Sequence, residues 1–260
     1  MIEDLAVLLP FSQEVLWLGF AVFLRTGAMM AVLPAFGEQS VPLRLRLGLT
    51  LAFTLIVAPA VADGIGRPPE TFVTYMGVLG PEVIVGLFFG LALRFFIFAL
   101  QIAGAVAAQS TSLSQIFGGS AGVDAQPAIG RVLVIAGLAL AALMGLHVQI
   151  ATYMLHSYAM VPFGTLISAE TVMMVGVKEV GRTFALGFTL AAPFVVASLI
   201  YNVTLGVINR AMPQLMVSFV GAPAITAGGL FLLFITAPVL LAVWIAAFGD
   251  FMANPFGGPG

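Results

Sequence analysis

The sequence predicts an all-α integral membrane protein with about six apolar helical regions, several of them broken or kinked. Three observations predict it. Hydrophobic residues fill 61% of the 260 positions and charged residues 8%, against about 45–50% and about 25% in soluble domains. The nine Lys+Arg and eleven Asp+Glu are scattered, so no stretch is polar enough to clothe a water-facing domain. The apolar runs reach the length of spanning helices, about 20 residues each, and Pro, Gly or short polar breaks divide them. The whole chain, 1–260, reads as one membrane-embedded domain, with a loose Gly/Pro-rich tail at 254–260.

Each region follows from its residues. The first, about 15–34, contains Arg25 and is closed by Pro34 and the polar stretch 37–46. The second, about 47–62, carries Pro59 near its end, and the turn 63–70 after it holds two prolines and two glycines, the strongest local punctuation in the chain. The third, about 71–108, is too long for one straight span. Gly80-Pro81 is expected to divide it, because proline removes a backbone donor and clashes with the preceding turn, so Glu82 is expected at the start of a long helix. The fourth, about 129–161, is expected to run through His147 and to continue as a second leg up to Pro162. Residues 168–182 read as amphipathic or polar. The fifth region, about 183–207, has Pro193 as a kink, and 209–214 is a short break. The last, about 215–248, is expected to break at Gly221-Ala222-Pro223 and at Gly228-Gly229. No internal repeat is evident, which argues against an inverted-repeat transporter.

Composition also excludes. A net charge of −2 with a single lysine, Lys178, cannot displace the counterions of a nucleic acid. Cysteine is absent, which removes disulfides, thiolate metal sites and cysteine nucleophiles. The acidic start Met1-Ile2-Glu3-Asp4 lacks the basic region of a secretory signal, so the first apolar segment is expected to stay as a membrane helix. With the N-terminus outside, inner loops hold Arg44, Arg46, Arg131 and Arg210, and outer ones Arg67, Lys178 and Arg182. That is a marginal positive-inside signal.

Arg25 and Arg94 lie inside apolar stretches, where a charge at bilayer depth costs at least about 2.5–3.5 kcal/mol. Either they face a polar interior or a partner subunit, or they snorkel to an interface. Glu14 and Glu82 are placed at segment starts and Asp250 at an end, so no carboxylate of a proton-coupled pump is expected in mid-helix. Gly118-Gly119-Ser120-Ala121-Gly122 matches the G-x-S-x-G pattern of serine hydrolases. Ser120 would need His147 or His156 as a base, and a small-residue loop that matches by chance is the plainer reading. The two histidines, nine positions apart, fall on opposite faces of one helix, and no metal or nucleotide motif occurs. No catalytic, cofactor-binding or metal-binding residue is therefore assigned. The sequon Asn202-Val203-Thr204 sits in an apolar run and reads as chance. Gly86/Gly90, Ala103/Ala107 and Gly187/Ala191 are small-residue pairs at helical spacing, the pattern of close helix packing in lipid. Met29, Met30, Met212 and Met216 lie beside turns, where thioethers fill gaps or make an adaptable seal.

Several stretches together carry a resemblance. Residues 25–37 run Arg-Thr-Gly-Ala-Met-Met-Ala-Val-Leu-Pro-Ala-Phe-Gly, followed by Val41-Pro42 and Arg44/Arg46. Residues 82–94 run from Glu82 to Arg94, followed by Gln101-Ile-Ala-Gly104. Then come Ala192-Pro193, Asn202, Leu205-Gly206, Arg210-Ala-Met-Pro213-Gln214 and Val220-Gly221-Ala-Pro223. In order and spacing, over about residues 15–235, this resembles the FliR family of flagellar export-gate proteins, whose relatives serve virulence type III secretion. Two stretches depart from the family's usual form, Gly145-Leu146-His147 and 110–117.

The resemblance implies a non-enzymatic subunit packed as helical hairpins in a hetero-oligomeric gate with FliP and FliQ, contacted by FlhB, without a cofactor. It implies the inner membrane, within the flagellar basal body. It also implies that the loop matching 109–122 plugs a central pore. Leu113, Ile116 and Phe117 would supply apolar bulk; Gly118, Gly119 and Gly122 would permit movement, and Gln109 would open the loop. Arg25, Glu82, Arg94 and Arg210 are the expected buried or inter-subunit charges. Pro34, Gly37, Pro42, Pro193, Asn202, Pro213, Gln214, Gly221 and Pro223 are expected structural positions. A small-molecule transporter or channel and an intramembrane serine peptidase are the competing classes.

Overall fold

A computed structural model describes residues 2–38, 41–111, 128–212 and 217–257. Among them there is no strand, only seven α-helices and one 3-10 turn at Ala62–Gly64. The helices are α1 (Ile2–Val32), α2 (Leu43–Val61), α3 (Phe72–Thr111), α4 (Ala128–Leu143), α5 (Leu146–Met160), α6 (Ala169–Ala211) and α7 (Val217–Ala253). Five helices are long and apolar enough to cross a membrane, or six if the broken pair α4 and α5 counts as one span.

Several expected breaks are absent. Pro81 lies inside α3, which runs unbroken for 40 residues. A proline in a helix interior costs about 3 kcal/mol, and tertiary packing on both sides of Pro81 outweighs it. Glu82 therefore sits well inside a helix rather than at its start. Residues 169–182 of the polar stretch also become helix: α6 spans 43 residues, with Pro193, the expected kink, in its interior. Arg210 falls on the last turn of α6, not in a break. α7 passes helically through 221–223 and 228–229. The real interruption between α4 and α5 is Gly145, with φ 78°, two residues before the expected His147. Pro42 holds the residue before α2 at φ −56° and ψ 140°, so Arg44 and Arg46 belong to the first turn of that helix and not to a loop.

The helices group into two compact units: 1–94, 142–179 and 250–260 in the first, 95–141 and 180–249 in the second. In the first unit Trp17, Ala21 and Leu79 form a buried cluster with Leu24, Ile65, Tyr75 and Phe163 around it. The Trp17 indole donates to the Gly66 carbonyl at 2.9 Å, which pays the polar cost of burying that ring. α1 and α3 touch backbone to backbone: a Cβ on Gly86 would collide with the Arg25 carbonyl, and one on Gly90 would meet the Met29 carbonyl at 2.8 Å. Phe256 packs on Phe88, Phe89 and Phe251, with centroids 5.3–5.5 Å apart.

The second unit repeats the device. Gly104 of α3 lies so close to Gly130 of α4 that a Cβ there would collide with its backbone. Gly187 of α6 packs on Ala99 and Ile102. Trp244 of α7 is fully buried, donates to the Phe96 carbonyl at 2.8 Å and stacks on Phe248 at 5.1 Å.

Candidate functional site

Arg25 sits in the middle of an apolar helix, so its guanidinium must find partners inside the protein. It is 0% exposed, as is Glu82. α1 and α3 approach closely at Gly86, one turn along from Glu82, and this brings the two charges together. Arg25 Nε donates to Glu82 Oε2 and Nη2 to Oε1, both at 2.8 Å. This is the bidentate fork that only arginine can offer a carboxylate. Nη1 donates to two carbonyls at the C-terminal end of α5, Ser157 at 3.1 Å and Val161 at 2.9 Å. The Ser157 carbonyl also accepts the Val161 N–H at 3.0 Å, so Arg25 adds a second donor to it, and a cation at this helix end favours the helix dipole. Glu82 Oε1 accepts a further bond from the Gly164 N–H at 2.9 Å. The Tyr158 ring lies 3.8 Å from the guanidinium carbon and covers it.

The arrangement clasps three helices and a turn at one point. A buried ion pair is tolerable only when further hydrogen bonds satisfy the remaining groups, and here the carbonyls and the Gly164 N–H do so. Nearby, the Tyr153 hydroxyl donates to the Phe89 carbonyl at 3.0 Å, and Thr26 and Thr54 share a 2.8 Å bond between α1 and α2.

A second polar group organises the link from α1 to α2. Arg94 Nη1 lies 3.3 Å from the Val32 carbonyl and 3.4 Å from Glu38 Oε1. Arg46 donates to the carbonyls of Phe36 and Glu38 at 3.2 and 2.9 Å. Pro34 is buried, and the Gly37 N–H returns to the Leu33 carbonyl at 2.7 Å. A Cβ on Gly37 would lie 2.7–2.9 Å from backbone atoms of residues 31–33, so only glycine fits this tight return.

The other expected positions do not gather here. Asn202 is exposed on α6 and donates to Ser198 Oγ at 3.2 Å. Pro193 is half-buried in the same helix, and Arg210 is exposed at its end. His147 is exposed and His156 half-buried, both on α5. Gln109 is exposed in the last turn of α3. Leu113, Ile116, Phe117, Gly118, Gly119, Ser120 and Gly122 lie outside the described residues, as do Pro213 and Gln214. Gly221 and Pro223 are within α7, but their surroundings are not described.

Sequence reasoning missed Tyr158, the Ser157 and Val161 carbonyls and Gly164. One signal was available. An arginine in an apolar segment demands an acid, and Glu82 lies in another such segment. Placing Glu82 at a helix start hid the pairing.

Long apolar helices, small-residue contacts and a fully buried charge clasp define an all-α protein of the membrane class. Residues 16–251 match the family model of the bacterial export proteins, family 1; the chain belongs to that family. Among curated relatives, the flagellar biosynthetic protein FliR of Caulobacter vibrioides is 33% identical over 224 residues, 86% of this chain and 89% of that protein. FliR of Aquifex aeolicus is 27% identical over 243 residues, 92% and 93% of the two chains. The Yop proteins translocation protein T of Yersinia pestis is 26% identical over 203 residues, 76% and 77%.

Proposed function

We propose that the chain is a core subunit of the flagellar type III protein export gate, forming part of the pore through which unfolded flagellar proteins leave the cytoplasm. The observation that carries this is the 33% identity to a flagellar relative over 86% of the chain. The virulence relative is more distant and covers less of the chain, which favours the flagellar over the injectisome role. The subunit works in the inner membrane within the basal body, assembled with FliP and FliQ and contacted by FlhB. It performs no catalysis. Residues 109–122 plug the pore, with Leu113, Ile116 and Phe117 as the apolar stopper.

Two features support a subunit over a self-sufficient transporter. α6 leaves Leu199, Ile200, Val203 and Val207 each 59–64% exposed, a face that needs lipid or protein against it. Glu82 would be the proton carrier of a transporter, yet both its oxygens are committed, Oε2 to Arg25 and Oε1 to Arg25 and Gly164. Co-expression with tagged FliP and FliQ from the same cell tests the reading. The chain should co-purify with them in fixed ratio. A chain that is monodisperse alone and never co-purifies contradicts it.

A further inference from the structure

We propose that α5 is a latched bar: a short rigid helix that pivots at Gly145 and Gly164 and is held against α1 and α3 by the Arg25–Glu82 pair. The proposal concerns the first unit alone and stands whether or not the export reading does.

Three observations carry it. The first is the pair of pivots. Gly145 and Gly164 have φ 78° and 71°, the two positive-φ glycines among the described residues, and they bracket α5 and the turn after it. Other L residues reach that region only at a cost of about 1–2 kcal/mol. A Cβ on Gly145 would meet nothing within 4 Å, so backbone conformation rather than crowding calls for glycine there.

The second is how α5 is held. Its inner side is tied by polar bonds: Tyr153 Oη to Phe89, Ser157 and Val161 to Arg25, and Gly164 to Glu82. Its other side is open, with Val148 59% and Met160 41% exposed. The bonds to the pair are the kind that can let go. If α5 leaves, Arg25 and Glu82 keep their two mutual bonds and remain neutral as a pair. Release costs hydrogen bonds and the burial of Leu146, Ile150, Tyr153 and Met154, but it leaves no uncompensated ion in apolar surroundings.

The third is room. A cavity of about 380 Å³ borders the C-terminal end of α5, lined by Leu155, Tyr158 and Pro162 on one side and by Val61, Asp63 and Ile65 on the other. The cavity is open to the surface, with Asp63, Ala159 and Pro162 exposed at its rim, and it lies where the latched end would move.

The absence of cysteine makes the test clean. Ser157→Cys places a thiol at a fully buried position, and Ala191→Cys does so in the second unit, also at 0% exposure. The full chain in membrane vesicles is treated with a small maleimide, one reporter at a time. Glu82→Gln and Arg25→Lys should each raise labelling of Ser157→Cys about tenfold or more and leave Ala191→Cys silent. Gly145→Ala, which removes no partner of the latch, should also raise labelling at Ser157→Cys, because alanine resists the left-handed pivot. Gly145→Asn, which tolerates it, should raise it far less. Labelling at Ser157→Cys that stays flat in Gly145→Ala, or that rises equally at both reporters in all the variants, overturns the proposal.

Discussion

Arg25 places a guanidinium among helices that offer few other charges, and Glu82, two backbone carbonyls and an aromatic ring answer it. Removing one member leaves the other buried without a counter-charge, at about 3–5 kcal/mol. Arg25→Ala should therefore lower the midpoint of denaturant unfolding in detergent by that amount. The double variant Arg25→Met with Glu82→Leu should recover a large part of the loss, since apolar replacements of similar volume are often neutral. An Arg25→Ala chain as stable as the wild type would show that the clasp contributes nothing. Arg210 is the opposite case. It is exposed on the last turn of α6, so Arg210→Ala should change the stability of the chain by no more than roughly 0.5 kcal/mol. If Arg210 contacts a partner in the proposed gate, the same variant should lower the yield of the co-purified subunits. Normal co-purification together with normal motility counts against that contact.

Between elements, glycine sets how closely helices approach. Gly104 has no room for a Cβ against Gly130, whereas Gly48 on α2 has nothing within 4 Å. Gly104→Ala should cost about 1–3 kcal/mol, the usual range for overpacking, and Gly48→Ala should be neutral or stabilising by up to about 1 kcal/mol. Unfolding midpoints of the two variants, measured side by side, check the contrast. The pairs Gly86/Gly90 and Gly187/Ala191 made such contacts legible in the sequence, because small residues at helical spacing have one common use in lipid. Apolar run length likewise showed the helices. Helix ends were harder to read. Pro81, the 221–223 stretch and the glycines at 228–229 read as breaks, and each lies inside a continuous helix. A local propensity of about 1–3 kcal/mol is small beside the packing of a helix of 37–43 residues, and that packing is invisible without partners. The pairing of Arg25 with Glu82 was hidden for the same reason: it depends on α3 passing straight through Pro81. Gly145 and Gly164, which need a left-handed backbone, carry no mark that distinguishes them from the other glycines.

At the scale of the molecule, family membership over residues 16–251 and the exposed apolar faces support a protein that completes itself with partners. If 109–122 is the plug of that assembly, its work is steric, because a narrow apolar constriction stops ions by dewetting. Deleting residues 113–117, or Phe117→Ala, should leave the gate assembled but leaky in whole-cell conductance. Ser120→Ala should change nothing; a peptidase would show the reverse pattern, and a tight loop deletion would remove the plug from the account. The account rests above all on export itself, and secretion measures it most directly. The chain's gene is deleted from its own cell, and flagellar proteins are assayed in the medium and in the cytoplasm. The account predicts that they accumulate inside, that the wild-type chain restores their secretion, and that Arg25→Ala restores it poorly. Undiminished secretion of flagellar proteins without the chain would contradict it.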